Sequence, residues 1–296
     1  MNQHPEPSSP GLSDYLKAWP QYLLPTHALS RVMHALTRSS NPLMRRWFMR
    51  WFVKQYGVDM SLAQEPNLDS YANFNDFFTR ALRPEVRPVM SDEKAIACPV
   101  DGAVSQAGPI RDGRIFQAKG QDYSLLQLLG GDEQWAKRFT DGSFATLYLS
   151  PRDYHRIHMP LAGKLTAMSH VPGRLFSVNA ATARVIPRLF ARNERVITYF
   201  DTEIGPMAMV LVGAIFVASI ETVWAGEVTP PAGKRVRHWN YQGNDAREFT
   251  RGEEMGRFNM GSTVIVLFGR DAMQWADSVT PDAAVQMGQH LGTCQT

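Results

Sequence analysis

The first fifth of the chain repeats its apolar residues at helical spacing, and most of the remainder repeats them at strand spacing. Between Asn41 and Gly57, Leu43, Met44, Trp47, Phe48, Trp51 and Phe52 fall on one half of a helix turning about 100° per residue, while Arg45, Arg46, Arg50 and Lys54 fall on the other. Asn41-Pro42 supplies a capping side chain followed by Pro at the first helical position, and Gly57 supplies a stop. The segment before it, Ala28 to Thr37, sets Leu29, Val32, Met33 and Leu36 on one stripe, so two helices form a hairpin about Ser39-Ser40-Asn41. A further helix runs over Asn73 to Leu82, until Pro84 and Pro88 end helical structure. Strands are then predicted at Ala103 to Gln106, Arg114 to Ala118, Phe144 to Leu149, Lys164 to Met168, Val196 to Asp201, twice within Met207 to Ile220, and at Thr263 to Phe268. Turns such as Arg111-Asp112-Gly113 and Asp141-Gly142-Ser143 separate them, and Tyr123 to Leu129 and Ala180 to Phe190 read as interspersed helices. The pattern predicts an α+β fold: an N-terminal helical region over residues 1–64, and a β-rich body of antiparallel sheet, barrel-like in part, over 65–296.

Composition narrows the reading. An apolar content of 44% suits an ordinary globular core, and a net charge of +3 is too small to imply nucleic acid, for which no binding motif is present. Only Cys98 and Cys294 occur, near opposite ends, which argues against a disulfide framework and fits a reducing compartment. Cys98 reads as a small buried hydrophobe. The longest nearly apolar run, Met207 to Ile220, is shorter than the about 20 residues a membrane-spanning helix needs, and reads as buried strands. Met1 to Leu12, with Pro5, Glu6, Ser8, Ser9 and Pro10, reads as a loose tail rather than a secretory signal.

Charge is unevenly placed. Before Gly57, Lys17, Arg31, Arg38, Arg45, Arg46, Arg50 and Lys54 face only Glu6 and Asp14. An aromatic helix backed by cations can lie in the headgroup layer of an anionic membrane, with Trp47, Phe48 and Trp51 at the interface and Arg46 and Arg50 near lipid phosphates. The same pattern suits a helix packed on the protein's own core with a solvated basic back.

The chemistry centres on Ser262, in the run Phe258-Asn259-Met260-Gly261-Ser262-Thr263. Gly261 has no side chain to block approach of the serine hydroxyl to its own preceding carbonyl, and it tolerates a strained backbone. Pro99-Val100-Asp101-Gly102 offers an acid, and Tyr154-His155-Arg156-Ile157-His158-Met159-Pro160 offers a base, the remaining members of a serine-activating triad. These residues resemble the phosphatidylserine decarboxylases, which mature by self-cleavage at Leu-Gly-Ser-Thr and convert the serine into a pyruvoyl group. The resemblance extends through Asn73-Phe74-Asn75-Asp76-Phe77-Phe78-Thr79-Arg80, Gly173-Arg174-Leu175-Phe176-Ser177-Val178-Asn179, Leu189-Phe190-Ala191-Arg192-Asn193-Glu194-Arg195-Val196, Phe200-Asp201-Thr202-Glu203-Ile204-Gly205-Pro206-Met207 and Gly252-Glu253-Glu254-Met255-Gly256-Arg257-Phe258. The one departure is Met260 where the family more often has Leu, a swap of similar volume that is expected to leave cleavage intact.

The resemblance implies a triad of Asp101, His158 and Ser262, in which His158 takes the serine proton while Asp101 orients the imidazole and stabilises its positive form. Cleavage between Gly261 and Ser262 then yields a large chain, 1–261, and a small chain, 262–296. It further implies covalent pyruvate at position 262 and a Schiff base between that group and phosphatidylserine; by position, His155 or His158 is the proton donor for the decarboxylation that gives phosphatidylethanolamine, with His155 preferred. The implied assembly is a heterodimer of the two chains, alone or paired with a second heterodimer, lying peripherally on the cytoplasmic side of a cell membrane. No metal is implied. A zinc hydrolase using His155, His158 and Asp101 is a weaker alternative, since His-Glu-x-x-His is absent and Ser262 would stand idle. A serine hydrolase acting on an external ester lacks Gly-x-Ser-x-Gly around Ser262. A noncatalytic lipid-binding protein would require the triad residues to be dispersed in the fold.

Overall fold

In the computed structural model, which describes residues 11–118, 120–216, 219–230, 233–260 and 263–295, the chain opens with three helices. They are α1 (Leu12–Ala18), α2 (Thr26–Thr37) and α3 (Pro42–Tyr56), followed by the short α4 (Phe74–Phe78). The cap expected at Asn41 is present: its side chain accepts from the backbone N–H groups of Leu43 and Met44 at 3.2 Å each. Gly57 ends α3 in the left-handed region at φ 65°, where a side chain would be strained. The helix expected over Asn73 to Leu82 is only α4, because the Thr79 hydroxyl and N–H both fold back to the Asn75 carbonyl and close the turn. Of the expected tail, residues 1–10 lie outside the described residues, and Leu12 already belongs to α1.

The body follows as β1 (Ala95–Ala97), β2 (Gly102–Pro109), β3 (Arg114–Ala118), β4 (Gln121–Ser124), α5 (Leu125–Leu128), α6 (Glu133–Phe139), β5 (Ser143–Tyr148), β6 (Arg156–His158) and β7 (Gly163–Val171). Next come α7 (Ala180–Val185), α8 (Leu189–Arg192), β8 (Arg195–Thr202), β9 (Gly205–Val212), β10 (Ile220–Thr222), β11 (Gly226–Thr229), β12 (Arg237–Asn240), β13 (Glu248–Phe249) and β14 (Glu254–Phe258). The chain ends with β15 (Thr263–Phe268), β16 (Met273–Trp275), β17 (Ala284–Val285) and β18 (His290–Cys294). The segment expected as a helix over Tyr123 to Leu129 begins as the end of β4 at Tyr123 and Ser124 and is helical over Leu125–Leu128, and Ala180 to Phe190 is split in two at Pro187.

A large antiparallel sheet of order β12-β7-β8-β9-β15-β5-β2-β17, with β13 also on β7, forms the spine. Side chains of β15 alternate between two cores: Val264, Val266 and Phe268 point to one, Ile265 and Leu267 to the other. That explains why β15 reads as an unbroken apolar run. It pairs with β5 and β9 over its whole length, while β17 pairs with β2, and β18 with β1. Residues after Thr263 are thus held in two sheets by backbone hydrogen bonds, and a cut before Thr263 would leave them in place.

A smaller sheet, β11-β10-β14-β6, carries the histidine strand and lies against the first core through Ile157, Met255 and Phe258. A third cluster joins the N-terminal helices to the body: Met49, Phe52, Phe74, Phe77 and Phe78 form its centre, and Met260 packs on its edge. Aromatic rings from α3 and α4 therefore reach the residue before Gly261.

Candidate active site

Gly102 explains how Asp101 is brought to the site. A Cβ at Gly102 would stand 2.2 Å from the Tyr148 carbonyl oxygen, so only glycine lets β2 press against β5 there. Tyr148 is also the β5 partner of Thr263, so Asp101 is anchored one strand from the residue that follows Ser262. On the other side, the His158 N–H donates to the Pro99 carbonyl at 2.9 Å, which ties β6 to the same turn.

Asp101 is buried and held by three contacts from Arg87: Nε to Oδ1 at 2.9 Å, Nε to Oδ2 at 3.1 Å and Nη2 to Oδ2 at 2.6 Å. The Met287 N–H completes its shell at 2.8 Å. Asp101 makes no hydrogen bond to His158, which differs from the orienting contact expected for a triad. The carbonyl of Gly252 fills that place, 2.8 Å from His158 Nδ1. Because a carbonyl only accepts, Nδ1 carries the proton and Nε2 presents its lone pair. Tyr154 donates its hydroxyl to that lone pair at 3.0 Å. Burial pushes the Tyr154 phenol well above its ordinary value, so it stays protonated, and burial lowers His158 below 6.5, so the imidazole is neutral at neutral pH. Asp101 acts on the ring through space, favouring its protonated form.

His155 is set the same way. Its Nδ1 donates to the Asp153 carbonyl at 2.8 Å, its ring lies 4.1 Å from that of Phe78, and it has no exposure to solvent. Nε2 is buried without a partner among the described residues. Burial lowers its pKa to about 3, so the resting imidazole can accept a proton and has none to spare at Nε2. Phe258 donates its N–H to the His155 carbonyl at 3.0 Å, which lays the histidine beside the segment that runs into Gly261.

Gly261 and Ser262 themselves lie outside the described residues. The flanking residues carry the local signature. Met260 adopts φ 147°, a region that strains a residue with a side chain, and it is wedged against the aromatic cluster. Thr263 on the far side is buried and fully paired in the sheet, with its hydroxyl unpartnered among the described residues. Strain on one side and a rigid strand on the other bracket the peptide bond before Ser262.

Sequence reasoning placed Tyr154 in a motif but missed its bond to His158, and missed Arg87 altogether. A lone arginine after Pro84 carries no periodic signal, and only the fold places it on Asp101. Among the described residues no group of three or more His, Cys, Asp or Glu side chains could hold a metal ion. Cys98, three residues before Asp101, is buried and its thiol is pushed up to about 12 by burial, which suits a packing role.

Of the helical residues expected at a membrane, Trp47 and Trp51 are exposed and stacked 6.4 Å apart, whereas Phe48 turns inward onto Phe74 at 4.3 Å. Arg46 pairs with Asp69 at 2.8 Å, and the exposed Arg50 reaches the same carboxylate at 3.9 Å. Leu43, Arg46, Trp47, Arg50, Trp51 and Lys54 line one shallow depression, so rings and cations share the outer face instead of dividing it. Large apolar side chains are also exposed elsewhere along the N-terminal segment, among them Leu12, Leu16, Trp19, Leu23, Val32 and Leu36. No helix among the described residues is long and apolar enough to cross a membrane.

A family model described as phosphatidylserine decarboxylase matches residues 74–293, and one described as PSD matches residues 16–57. The phosphatidylserine decarboxylase proenzyme of Shewanella loihica is 57% identical over 279 residues, covering 93% of this chain and 98% of that protein. The proenzyme of Shewanella halifaxensis is likewise 57% identical over 279 residues, covering 93% of this chain and 97% of its own. The chain belongs to the phosphatidylserine decarboxylase family.

Proposed function

We infer that this protein cuts itself between Gly261 and Ser262, then decarboxylates phosphatidylserine to phosphatidylethanolamine at an anionic membrane surface. The observation that carries the reading is the pair of buried, neutral imidazoles with their Nδ1 protons locked on carbonyls, beside a strained residue that leads into Gly261-Ser262. His158 Nε2 takes the Ser262 proton once the Tyr154 hydroxyl gives way, and the buried Asp101 carboxylate stabilises the imidazolium so formed. The serine oxygen bonds to the Gly261 carbonyl carbon and the amide C–N bond breaks, leaving an ester. Loss of the Ser262 Cα proton then expels the Gly261 carboxylate, and hydrolysis releases ammonia. The large chain is 1–261 and the small chain 262–296, held together as a heterodimer by β15, β17 and β18.

The donor set suits a pyruvoyl group at position 262: His155 Nε2 is a buried acceptor without a partner among the described residues, and its walls include the apolar ring of Phe78. Such a group supplies an electron sink for the pair of electrons left when carbon dioxide departs. The state of His155 refines its role. Burial keeps the resting imidazole neutral, so a proton must reach Nε2 from the substrate before His155 can return it to carbon after decarboxylation. Apolar exposure along α1, α2 and α3, with Arg46, Arg50 and Lys54 interleaved, supports docking on anionic lipid, and an apolar groove between α2 and α3, lined by Met33, Leu36, Met44 and Trp47, could accept an acyl segment.

The Ser262→Ala chain tests the reading. It is expected to stay uncut and to leave phosphatidylserine unchanged, and turnover by that variant would rule out the mechanism.

A further inference from the structure

Arg80 is the anomaly the reaction leaves unexplained. It is 4% exposed, yet its Nε and Nη1 have no acceptor among the described residues, and the only side-chain hydrogen bond it makes among them runs from Nη2 to the Arg152 carbonyl at 3.2 Å. It makes no ion pair among the described residues. Nearby carboxylates are already engaged: Asp101 by Arg87 and the Met287 N–H, Asp153 by the Ser150 N–H at 2.6 Å, and Asp59 by the N–H and hydroxyl of Ser61 at 2.9 and 2.6 Å. A buried guanidinium with idle donors is costly to hold unless an anion completes it.

The space beside it has room for one. A cavity of about 230 Å³ is lined by Arg80, Arg87 and Arg152 together with the carboxylates Asp59, Asp101 and Asp153, and by Tyr154 and Gly57 among its other walls. Its inner wall is the Asp101 and Tyr154 pair, and Tyr154 touches His158. Its outer wall includes Gly57, the end of α3, whose outward face carries Trp51 and Tyr56. Tryptophan and tyrosine rings sit at headgroup depth in a bilayer, so this wall faces the level where lipid phosphates lie. Arginine is the side chain best fitted to phosphate oxygens.

We propose that Arg80 and this cavity form the subsite for the phosphodiester of the substrate's headgroup, so that the lipid enters past Trp51 and presents its amine and carboxylate toward the histidine strand. The proposal rests on the decarboxylase reading and adds a residue to it. Arg80 binds and positions; it does not move protons.

The test uses the full-length Ser262→Ala chain, whose uncut form carries the cavity described and cannot react with an amine. Binding of sn-glycero-3-phospho-L-serine, inorganic phosphate and L-serine is measured by calorimetry with Arg80 present, replaced by Lys, and replaced by Gln. Glycerophosphoserine is expected to bind more tightly than either fragment, with about tenfold or greater loss in Arg80→Gln and a smaller loss in Arg80→Lys, which keeps the charge without the planar donors. In the chain with Ser262 intact, Arg80→Lys is expected to raise KM for short-chain phosphatidylserine while kcat and self-cleavage change little. Unchanged glycerophosphoserine binding in both Arg80 variants overturns the proposal. So does inorganic phosphate binding as tightly as glycerophosphoserine, which would make the cavity a free-phosphate site. Failure of the wild-type chain to cut or to decarboxylate would instead count against the parent reading.

Discussion

Replacing Arg87 by Met isolates what holds Asp101 at the site. The pair is about nine-tenths buried, with side chains 10% and 9% exposed, and the change removes contacts at 2.6, 2.9 and 3.1 Å while the Met287 N–H at 2.8 Å remains. Stripping one partner from a buried pair costs about 3–5 kcal/mol, and the surviving N–H holds the loss to the lower bound, about 3 kcal/mol. For a chain of this size about 2–4 °C accompanies each kcal/mol, so thermal unfolding should shift down by about 6–12 °C. Arg87→Lys keeps the charge but loses the fork, and about 1 kcal/mol is expected. Both are measured by circular dichroism in the Ser262→Ala background, so that a single uncut chain is compared throughout. With Ser262 restored, Arg87→Met should also slow appearance of the two chains, because Asp101 no longer has a fixed position from which to stabilise the His158 imidazolium. A shift below about 2 °C in Arg87→Met, or equal shifts in the Lys and Met variants, would refute this account of the pair.

The buried histidines predict a pH dependence of defined sign. Between pH 6.5 and about 3 the unfolded chain protonates His155 while the folded chain does not, so stability should rise with pH through that window and level off above it, with up to about 1.4 kcal/mol per unit from this group. Urea unfolding of the Ser262→Ala chain at pH 7.5, 6 and 5 should show the decline toward acid, flatter in His155→Gln; parallel curves for the two would contradict it. Gly102→Ala should drive β2 off Tyr148 and displace Asp101, giving a large loss of soluble protein or of cleavage, whereas near-normal processing would show that β2 can shift without harm. Trp47→Ala with Trp51→Ala should weaken flotation on anionic liposomes while leaving self-cleavage intact, and undiminished flotation would remove this face from the membrane account.

Much of the architecture was legible in the sequence. Asn41 and Gly57 bound α3 because capping is local chemistry, and Thr263 to Phe268 announced a two-sided strand because its period-free apolar run has no other stable home. The same locality explains the failures. β6 is three residues long and holds two charged or polar side chains, so Arg156 to His158 gives no strand signal, and its place is set by pairing with β14 and by the bond to the Pro99 carbonyl. The outward turn of Trp47 and inward turn of Phe48, adjacent on one helix, depend on where α4 packs. At the site, Asp101, His155 and His158 were visible as motifs. Their partners were not, since Arg87, Tyr154 and the Gly252 carbonyl acquire roles only through long-range contacts.

Intact mass of the purified wild-type protein tests the central claim most directly. The account predicts two species, residues 1–261 with a free carboxylate and residues 262–296 beginning with a pyruvoyl group and no free amine. A single full-length chain in a preparation that decarboxylates phosphatidylserine would contradict it.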